Sequence, residues 1–211
     1  RSPRSRFGYL GYNLFMSKSH PRQAIDYLMI GHITRDETDR GPQLGGTASY
    51  SALTAKAMGL KPGVVTSWAE DLPPGQLAHI PIVNLKSDKS TTFRNIETEK
   101  GRIQHLYAFA ENISIQDIPD EWKRAKILHI GPVMGEVEIE IVEKFGTGFI
   151  GLTPQGWMRR KNPEGLVERI TWLPGDSILR KIGAIVVSKD DLLSSAEWID
   201  EICSKVSVLA V

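Results

Sequence analysis

The sequence is poor in the features that mark secreted, membrane and nucleic-acid-binding proteins. Its only cysteine is Cys203, so no disulfide can form within the chain. No apolar run approaches the roughly 20 residues that a membrane-spanning helix needs. Charge of one sign is also lacking, because 26 Lys+Arg face 25 Asp+Glu for a formal net charge of +1. We therefore expect a protein of the reducing cytoplasm with no nucleic-acid or membrane partner.

Several catalytic motifs are missing as well. The chain has no Walker A pattern, no Gly-x-Ser-x-Gly elbow and no metal-binding spacing of Cys and His. The stretch GTGFIG, Gly146–Gly151, does match the dinucleotide fingerprint, which requires a strand before the glycines and a helix after them. Here a helical stretch precedes the glycines and a strand follows, which predicts a helix end and turn. A nicotinamide-dependent oxidoreductase is therefore the weaker of the alternatives.

The ends of the chain differ from its middle. With 211 residues and 41% hydrophobic residues, the sequence suits one domain. Residues 1–24 are basic and have no apolar signal core, and Met16 is a plausible start, so we expect a disordered or spurious extension. The last stretch, Val206–Val211, has the pattern of a buried strand. We expect the folded domain to cover 25–211 and the chain to stop within that strand.

Strands and helices alternate along the chain, which favours a parallel α/β sheet with helices on both faces. The predicted strands are Ile25–Thr34, Pro62–Trp68, Ile127–Val133, Gly148–Pro154, Gly183–Ser188 and Val206–Val211. The predicted helices are the stretch that follows Gly45 and Gly46 and ends at Gly59, and Gly135–Phe145, Asp176–Lys181 and Ser194–Lys205. The stretch Ser90–Ala110 breaks the rhythm with two alternating runs, which predicts an antiparallel hairpin acting as a flap.

One glycine pair stands at an informative place. A strand, then Asp36, then Gly45 and Gly46 lead into a helix with Ala48, Ala52, Ala55 and Gly59 at helical spacing. Glycines let a ligand approach the main chain, and a carboxylate can accept two hydroxyl hydrogen bonds, which suits a polyol. The alternative is a tight turn with a helix cap from Thr47 or Ser49. His32 and His129 lie in apolar strands, which favours hydrogen-bonded core histidines.

This order of features resembles the ribokinase-like (PfkB) carbohydrate kinases, from about Asp26 to the last residue. The resemblance implies a three-layer α/β/α fold with a mostly parallel sheet and a small β lid, taken here by the hairpin at about 90–110. It implies that Asp36, Gly45 and Gly46 bind the substrate. Tyr50 stands where the family often has a sugar-contacting Asn, which suggests a cyclitol or nucleoside over ribose.

The resemblance also points to a nucleotide side. The stretch TPQGWMR, with Thr153, Gln155 and Arg159, takes the place of the family's Asp-x-Asn-x-Arg motif. The stretch SKDD, Ser188 to Asp191, takes the place of the family's Asn-x-x-Glu motif. It implies that Arg159, Ser188 and Asp191 face phosphate and that Asp191 helps to hold Mg²⁺. For Arg159 the alternative is a surface or core salt bridge. Family members end in a Gly-Ala-Gly-Asp stretch whose Asp is the catalytic base, which is expected beyond Val211.

The resemblance implies a kinase that uses ATP and Mg²⁺ to phosphorylate a hydroxyl of a sugar, cyclitol or nucleoside. Without the terminal Gly-rich region, we expect this fragment to be inactive. A non-catalytic relative that binds a polyol or nucleoside is the alternative. The lid is also a candidate surface for pairing two subunits into a homodimer.

Overall fold

The computed structural model describes residues 24–99, 101–146, 148–192 and 196–211. In chain order, its strands and α-helices are β1 Tyr27–Ile30, β2 Thr34–Thr38, β3 Gly41–Gly45, α1 Gly46–Ala57, β4 Pro62–Trp68, β5 Ile82–Lys86, β6 Thr92–Thr98, β7 Gly101–Ala108, β8 Ile127–Ile130, α2 Glu140–Lys144, β9 Phe149–Leu152, β10 Arg159–Lys161, β11 Val167–Arg169, α3 Asp176–Leu179, β12 Ala184–Val186, α4 Ala196–Cys203 and β13 Val208–Ala210. Four short 3-10 helices are Gly75–His79, Ile115–Asp117, Trp122–Arg124 and Pro154–Met158.

A seven-stranded parallel sheet is the centre of the molecule. Its strand order is β13-β12-β9-β8-β1-β4-β5, and each neighbouring pair runs parallel. Strand β1 is buried along its whole length because β4 and β8 flank it and side chains cover both of its faces. The parallel α/β class expected from the alternation of strands and helices is confirmed.

Two apolar cores lie on the two faces of this sheet. Helix α1 packs on one face through Ala48, Ala52 and Ala55, small side chains that let the helix approach the strands closely. Side chains of α2, α3 and α4 belong to the larger core, which includes Trp122 and Trp198. Helices therefore cover both faces, as a three-layer fold requires. None of the helices in the described ranges is long and apolar enough to cross a membrane.

A second, four-stranded sheet forms a lid, with the order β3-β2-β6-β7. The hairpin predicted at Ser90–Ala110 is present as β6 and β7, which pair antiparallel. The sequence did not predict the other half, β2 and β3, because this hairpin is largely polar and shows no apolar alternation. A further small hairpin, β10 and β11, lies beside β7, and the Leu106 amide donates to the Gly165 carbonyl at 2.9 Å.

The predicted strands at 127–133, 148–154, 183–188 and 206–211 are shorter in the structure. Two other predicted elements differ more. The single strand predicted at Ile25–Thr34 is wrong, because the chain turns at Gly31 and continues as β2 in the lid. The helix predicted from Gly135 begins only at Glu140, because the buried Glu136 carboxylate accepts amides of Val133 and Met134 and holds this segment as a loop. Residues 1–23 of the predicted extension, Thr147 of GTGFIG, and Ser194 and Ser195 of the last predicted helix lie outside the described residues.

Candidate functional site

The site lies where the carboxyl ends of the parallel strands meet the lid. Open α/β sheets bind ligands at this edge, because strand ends and loops form a crevice there. The lid face that carries Asp36 also carries Phe93 and Leu106, since the three residues are register partners across β2, β6 and β7. Phe93 and Leu106 pack with Val133, which follows β8. The lid is therefore seated over the carboxyl edge of the main sheet.

Asp36 lies directly over the first glycine of the pair. A Cβ on Gly45 would lie 2.7 Å from the Asp36 carboxyl carbon and 2.8 Å from the Thr34 hydroxyl oxygen, so any side chain there would displace the carboxylate. The Thr34 hydroxyl donates to Asp36 Oδ1 at 2.9 Å. Burial raises the pKa of Asp36, while the Thr34 hydrogen bond and the charge of Arg102 lower it. Glycine is thus required for this carboxylate to approach the main chain.

The second glycine begins helix α1. Gly46 has φ +85°, and a Cβ on it would collide with the His32 carbonyl, so two separate constraints select glycine. Among the described residues no side chain caps the helix; instead the Ser49 hydroxyl donates to the Gly45 carbonyl at 2.7 Å. The cap by Thr47 or Ser49 is therefore not formed. Tyr50 follows Gly46 by one helical turn and is 63% exposed.

A buried carboxylate that the sequence did not single out supports this corner. Glu136 is 1% exposed and accepts backbone amides from His32, at 3.1 Å, and from Val133 and Met134, at 2.9 and 2.8 Å. It joins the turn after β1 to the turn after β8. The signal in the sequence is an acidic residue directly after GPVMG, which follows a predicted strand.

The two histidines are part of the core, as expected. His32 bonds through its ring nitrogens to the Thr91 hydroxyl, at 2.7 Å, and to the Glu111 carbonyl, at 2.8 Å. His129 bonds to the Tyr27 and Thr153 hydroxyls, at 2.6 and 2.9 Å. Burial lowers the pKa of His129 to about 4. A hydrogen-bonded ring suits a structural role at both positions.

Arg159 and Asp191, which follow neighbouring strands of the main sheet, form a buried ion pair. Their side chains are 15% and 4% exposed, and Arg159 Nη2 lies 2.7 Å from Asp191 Oδ1. Arg159 Nε donates to the same oxygen at 3.1 Å, and the Gln155 amide donates to Oδ2 at 2.9 Å. Ser188 is exposed, and its hydroxyl accepts the Asp190 amide. The predicted nucleotide-side residues Arg159, Ser188 and Asp191 thus lie together at the carboxyl edge.

Arg159 also joins this edge to the lid. Its Nη1 donates to Gln104 Oε1 on β7 at 3.1 Å, and Gln104 Nε2 donates to Asn95 Oδ1 on β6 at 2.9 Å. Burial lowers the pKa of Arg159, Asp191 opposes that shift, and the guanidinium groups of Arg169 and Arg102 lower the pKa further. The three guanidinium groups therefore lie near one another where the lid meets β10 and β11, and those of Arg159 and Arg102 are paired with Asp191 and Glu97.

A metal ion is not held here by protein carboxylates alone. The described residues contain no group of three His, Cys, Asp or Glu side chains arranged around a metal position. Asp191 has three of its lone-pair positions engaged by Arg159 and Gln155, which leaves room for one further hydrogen bond or metal-bound water. Mg²⁺ is commonly held by one or two carboxylates together with substrate phosphates, and Asp191 fits that limited role.

The chain is similar to sugar and nucleoside kinases of known sequence or structure. It is 26% identical over 133 residues to a cytidine kinase from Thermococcus kodakarensis, which covers 57% of this chain and 48% of that kinase. The chain thus spans about half the length of the curated relative it matches. No protein-family model matches it.

Solved structures match more of the chain. A pyrophosphate-dependent kinase in the ribokinase family, as a sulfate complex, has a TM-score of 0.71 and 21% identity over 88% of this chain and 72% of that one. The kinase complexed with a pyrophosphate analogue and myo-inositol has a TM-score of 0.69 and 20% identity over the same shares. The resemblance inferred from the sequence is confirmed at the level of the fold, and the chain has the ribokinase-like α/β fold with its β lid.

Proposed function

We propose that this protein is a kinase that transfers the terminal phosphoryl group of ATP, with Mg²⁺, to a hydroxyl of a sugar, cyclitol or nucleoside. The observation that carries the proposal is the Asp36 carboxylate seated over Gly45 on the lid face that covers the carboxyl edge of the sheet. Asp36 is half-buried, and a carboxylate partly removed from water needs hydrogen-bond donors, which paired hydroxyls of a polyol supply.

The substrate side of the site is assigned to Asp36, Gly45, Gly46 and Tyr50. Asp36 accepts hydrogen bonds from two hydroxyls, and the two glycines keep side chains away from the bound molecule. Tyr50, one turn into α1 and exposed, shapes the entrance to the pocket. The structure of a relative with myo-inositol and the similarity to a cytidine kinase support a cyclitol or a nucleoside as the acceptor.

The donor side is assigned to Arg159, Ser188 and Asp191. Arg159 offers guanidinium donors to a phosphate, and Arg102 and Arg169 add positive charge around it. Asp191 would hold the Mg²⁺ that accompanies the donor phosphates through a metal-bound water. Because solved relatives include a pyrophosphate-dependent kinase, pyrophosphate is the second donor to test beside ATP.

Calorimetric titration of the 211-residue chain with cytidine, myo-inositol and D-ribose tests the substrate side. We expect at least one to bind, and Asp36→Asn to weaken that binding by about 10- to 100-fold, since hydrogen bonds to a charged group contribute about 1.5–3 kcal/mol. Asp39→Asn, at the exposed turn between β2 and β3, is the matched control. Failure of all three compounds to bind would overturn the proposal.

Phosphoryl transfer is tested on the protein that the complete gene encodes. Mass spectrometry would detect the phosphorylated acceptor with ATP or pyrophosphate and Mg²⁺. The alternative is a non-catalytic protein that binds a polyol or nucleoside. Two observations favour it: Thr153 and Gln155 replace the family's Asp and Asn, and Asp191 is paired with Arg159. Tight binding of the acceptor without any phosphorylated product would select that alternative.

The outer face of the lid is the proposed contact surface between the two subunits of a homodimer. Ile96, Ile103 and Tyr107 are between 39% and 61% exposed there, and Ile96 and Ile103 are register partners across β6 and β7. Light scattering of the wild type and of Ile96→Lys tests this assignment. A monomer at all concentrations of the wild type would contradict it.

A further inference from the structure

A network of hydrogen bonds lies beneath helix α1 and ends at Thr153. The Tyr27 hydroxyl lies 2.6 Å from His129 Nδ1, and His129 Nε2 lies 2.9 Å from the Thr153 hydroxyl. Ser51 of α1 is hydrogen-bonded to Tyr27 at the other end of the network. Its four members come from α1, β1, β8 and the residue after β9. The network therefore joins the helix that begins at the glycine pair to the carboxyl edge of the main sheet.

The protons of this network point in one direction. Burial raises the pKa of Tyr27 to about 12, and the hydrogen bond of Ser51 opposes that rise, as a bond donated to the phenol oxygen does. Because its oxygen accepts from Ser51, Tyr27 donates its own proton to His129 Nδ1. Burial lowers the pKa of His129 to about 4, so the ring is neutral and carries one N–H. That proton is then on Nε2 and is donated to Thr153.

The hydroxyl of Thr153 is left with a proton to donate. Its oxygen accepts from His129, and no other described residue bonds to this hydroxyl. Thr153 stands at the N-cap of the 3-10 helix Pro154–Met158, yet its side chain makes no capping hydrogen bond. The residue is only half-buried. The network thus presents an oriented hydrogen-bond donor at the carboxyl edge.

Thr153 lies between the two sides of the proposed site. The main sheet has the strand order β12-β9-β8-β1 in this region, with Asp191 after β12, Thr153 after β9, and Asp36 on the lid strand that follows β1. The end of β8, next to β9, touches the first turn of α1, because a Cβ on Gly131 would lie 2.6 Å from Thr47 Cγ2. A ligand group between the acceptor side and the donor side therefore meets the Thr153 hydroxyl.

We propose that the Thr153 hydroxyl binds an oxygen of the terminal phosphate of the phosphoryl donor. His129, Tyr27 and Ser51 act as positioning residues, because they fix the direction of that hydroxyl without touching the phosphate. This inference rests on the proposed function and adds a residue to its donor side. A carboxylate at position 153, as the family has, would approach a phosphate only with a cation between them, whereas a hydroxyl donates to the phosphate directly.

The binding test uses the protein that the complete gene encodes, and ATP and pyrophosphate are titrated separately with Mg²⁺. Thr153→Val removes the hydroxyl and keeps the shape of the side chain, so we expect about a tenfold weaker Kd for each donor that the wild type binds. Thr153→Ser keeps the hydroxyl and should restore most of the affinity. Thr54→Val, at an exposed position of α1, is the matched control and should leave the Kd unchanged.

Tyr27→Phe tests the positioning residues, since residue 27 is buried beneath α1. Without the Tyr27 hydroxyl, the His129 proton is shared between both ring nitrogens, and Thr153 donates to the ring whenever that proton is on Nδ1. Equal populations of the two forms would weaken the Kd by about twofold. We expect this loss in the wild-type background and no further loss in Thr153→Val. Equal losses in both backgrounds would mean that Tyr27 does not act through Thr153.

The direction of the network is measured without a ligand, from the ring nitrogens of His129 in ¹⁵N spectra of the 211-residue chain near neutral pH. The wild type should carry the proton on Nε2, and Tyr27→Phe should show both forms. A wild-type proton on Nδ1 would overturn the proposal, because Thr153 would then donate to the ring.

The binding results separate this inference from the proposed function. An unchanged Kd in Thr153→Val would overturn the role of Thr153 and leave the proposed function standing. If neither ATP nor pyrophosphate bound the wild type, the proposed kinase activity and the role of Thr153 would both fall.

Discussion

The carboxylate of Asp36 occupies the space that a side chain on Gly45 would need. Its carboxyl carbon is 2.7 Å from the position of a Gly45 Cβ, and the two residues belong to adjacent antiparallel strands. Gly45 has φ −138° and ψ −157°, an extended conformation that any residue adopts. The requirement for glycine is therefore steric, and it comes from a side chain with a proposed function.

Gly45→Ala is expected to destabilise the protein by about 1–3 kcal/mol, the usual cost of inserting a methyl group into an occupied space. The reason is contact with Asp36 and Thr34, the nearest neighbours of the added methyl group, since the backbone conformation suits alanine. Urea unfolding followed by circular dichroism measures the change. Gly146→Ala is the control, because no described residue other than its chain neighbours lies within 4 Å of the added methyl group, and we expect no loss there.

Asp36→Ala in the Gly45→Ala background should recover part of that loss, because the carboxylate is the main obstacle. If Gly45→Ala were as stable as the wild type, or if Asp36→Ala gave no recovery, the close approach of the two residues would be contradicted.

Asp36→Asn is expected to make the unliganded protein more stable near neutral pH while weakening the binding of its substrate. Burial raises the pKa of Asp36 above its ordinary value, so ionisation of this carboxyl costs folding free energy. Below about pH 4 the Asp36 carboxyl is protonated in both the folded and the unfolded protein, so this cost is absent. It reaches its full value once the pH exceeds the pKa of Asp36 in the folded protein. The stability of the wild type relative to Asp36→Asn should therefore fall as the pH rises.

Paired urea titrations of both proteins at pH 3.5 and 7 measure this difference. Substrate affinity should show the reverse trend and be lost as the pH falls through the raised pKa of Asp36, since a protonated carboxyl no longer accepts two hydroxyl donors. A variant less stable than the wild type at pH 7 would show that the carboxylate stabilises the empty fold.

The sequence was sufficient to predict six of the seven strands of the main sheet and the Asp36 corner, because these are recorded in local patterns. Strand β5 was not predicted. Apolar strand runs and the alanine face of α1 depend on residues close together in the chain. Thr34, Asp36 and Gly45 are also close in sequence, so the order of strand, acid and glycine pair was enough to bring them together.

The rest of the site depends on contacts that a single sequence does not record. Arg159 and Asp191 are 32 residues apart, and Gln104 and Arg159 are 55 apart, so nothing local shows that they bond. Glu136 stands in a stretch of acidic and apolar residues that was predicted to be a helix, where an acidic side chain is expected to face solvent, and this concealed its burial. The β2–β3 hairpin is stabilised by pairing with β6 more than by apolar burial.

Arg159→Met is expected to destabilise the fold by about 3–5 kcal/mol, because it leaves the buried Asp191 carboxylate with only Gln155 as a partner. The matched control is the neighbouring Arg160, whose pair with Glu168 is exposed. Arg160→Met should cost less than about 1 kcal/mol. Equal losses in the two variants, measured by urea unfolding, would mean that the burial of the Arg159–Asp191 pair has no energetic consequence.

The stability of the protein should decline in mild acid because of His129. Burial lowers the pKa of this ring to about 4 in the folded state, where it bonds to the Tyr27 and Thr153 hydroxyls. An unfolded histidine titrates near pH 6.5, so below that pH the unfolded state takes up a proton that the folded state refuses. The full stability is present above pH 6.5 and is lost progressively toward pH 4, by about 3 kcal/mol in total.

Urea unfolding of the wild type and of His129→Gln between pH 4 and 7.5 measures this contribution. The glutamine side chain at position 129 does not titrate. The free energy of unfolding of the wild type minus that of the variant should therefore fall by about 3 kcal/mol as the pH is lowered. A pH-independent effect of the substitution itself does not change this slope. His79→Gln, at an exposed surface position, is the control and should give a curve parallel to that of the wild type. Parallel curves for His129→Gln and the wild type would mean that the ring takes up its proton without unfolding, and that the two hydroxyls do not hold it neutral.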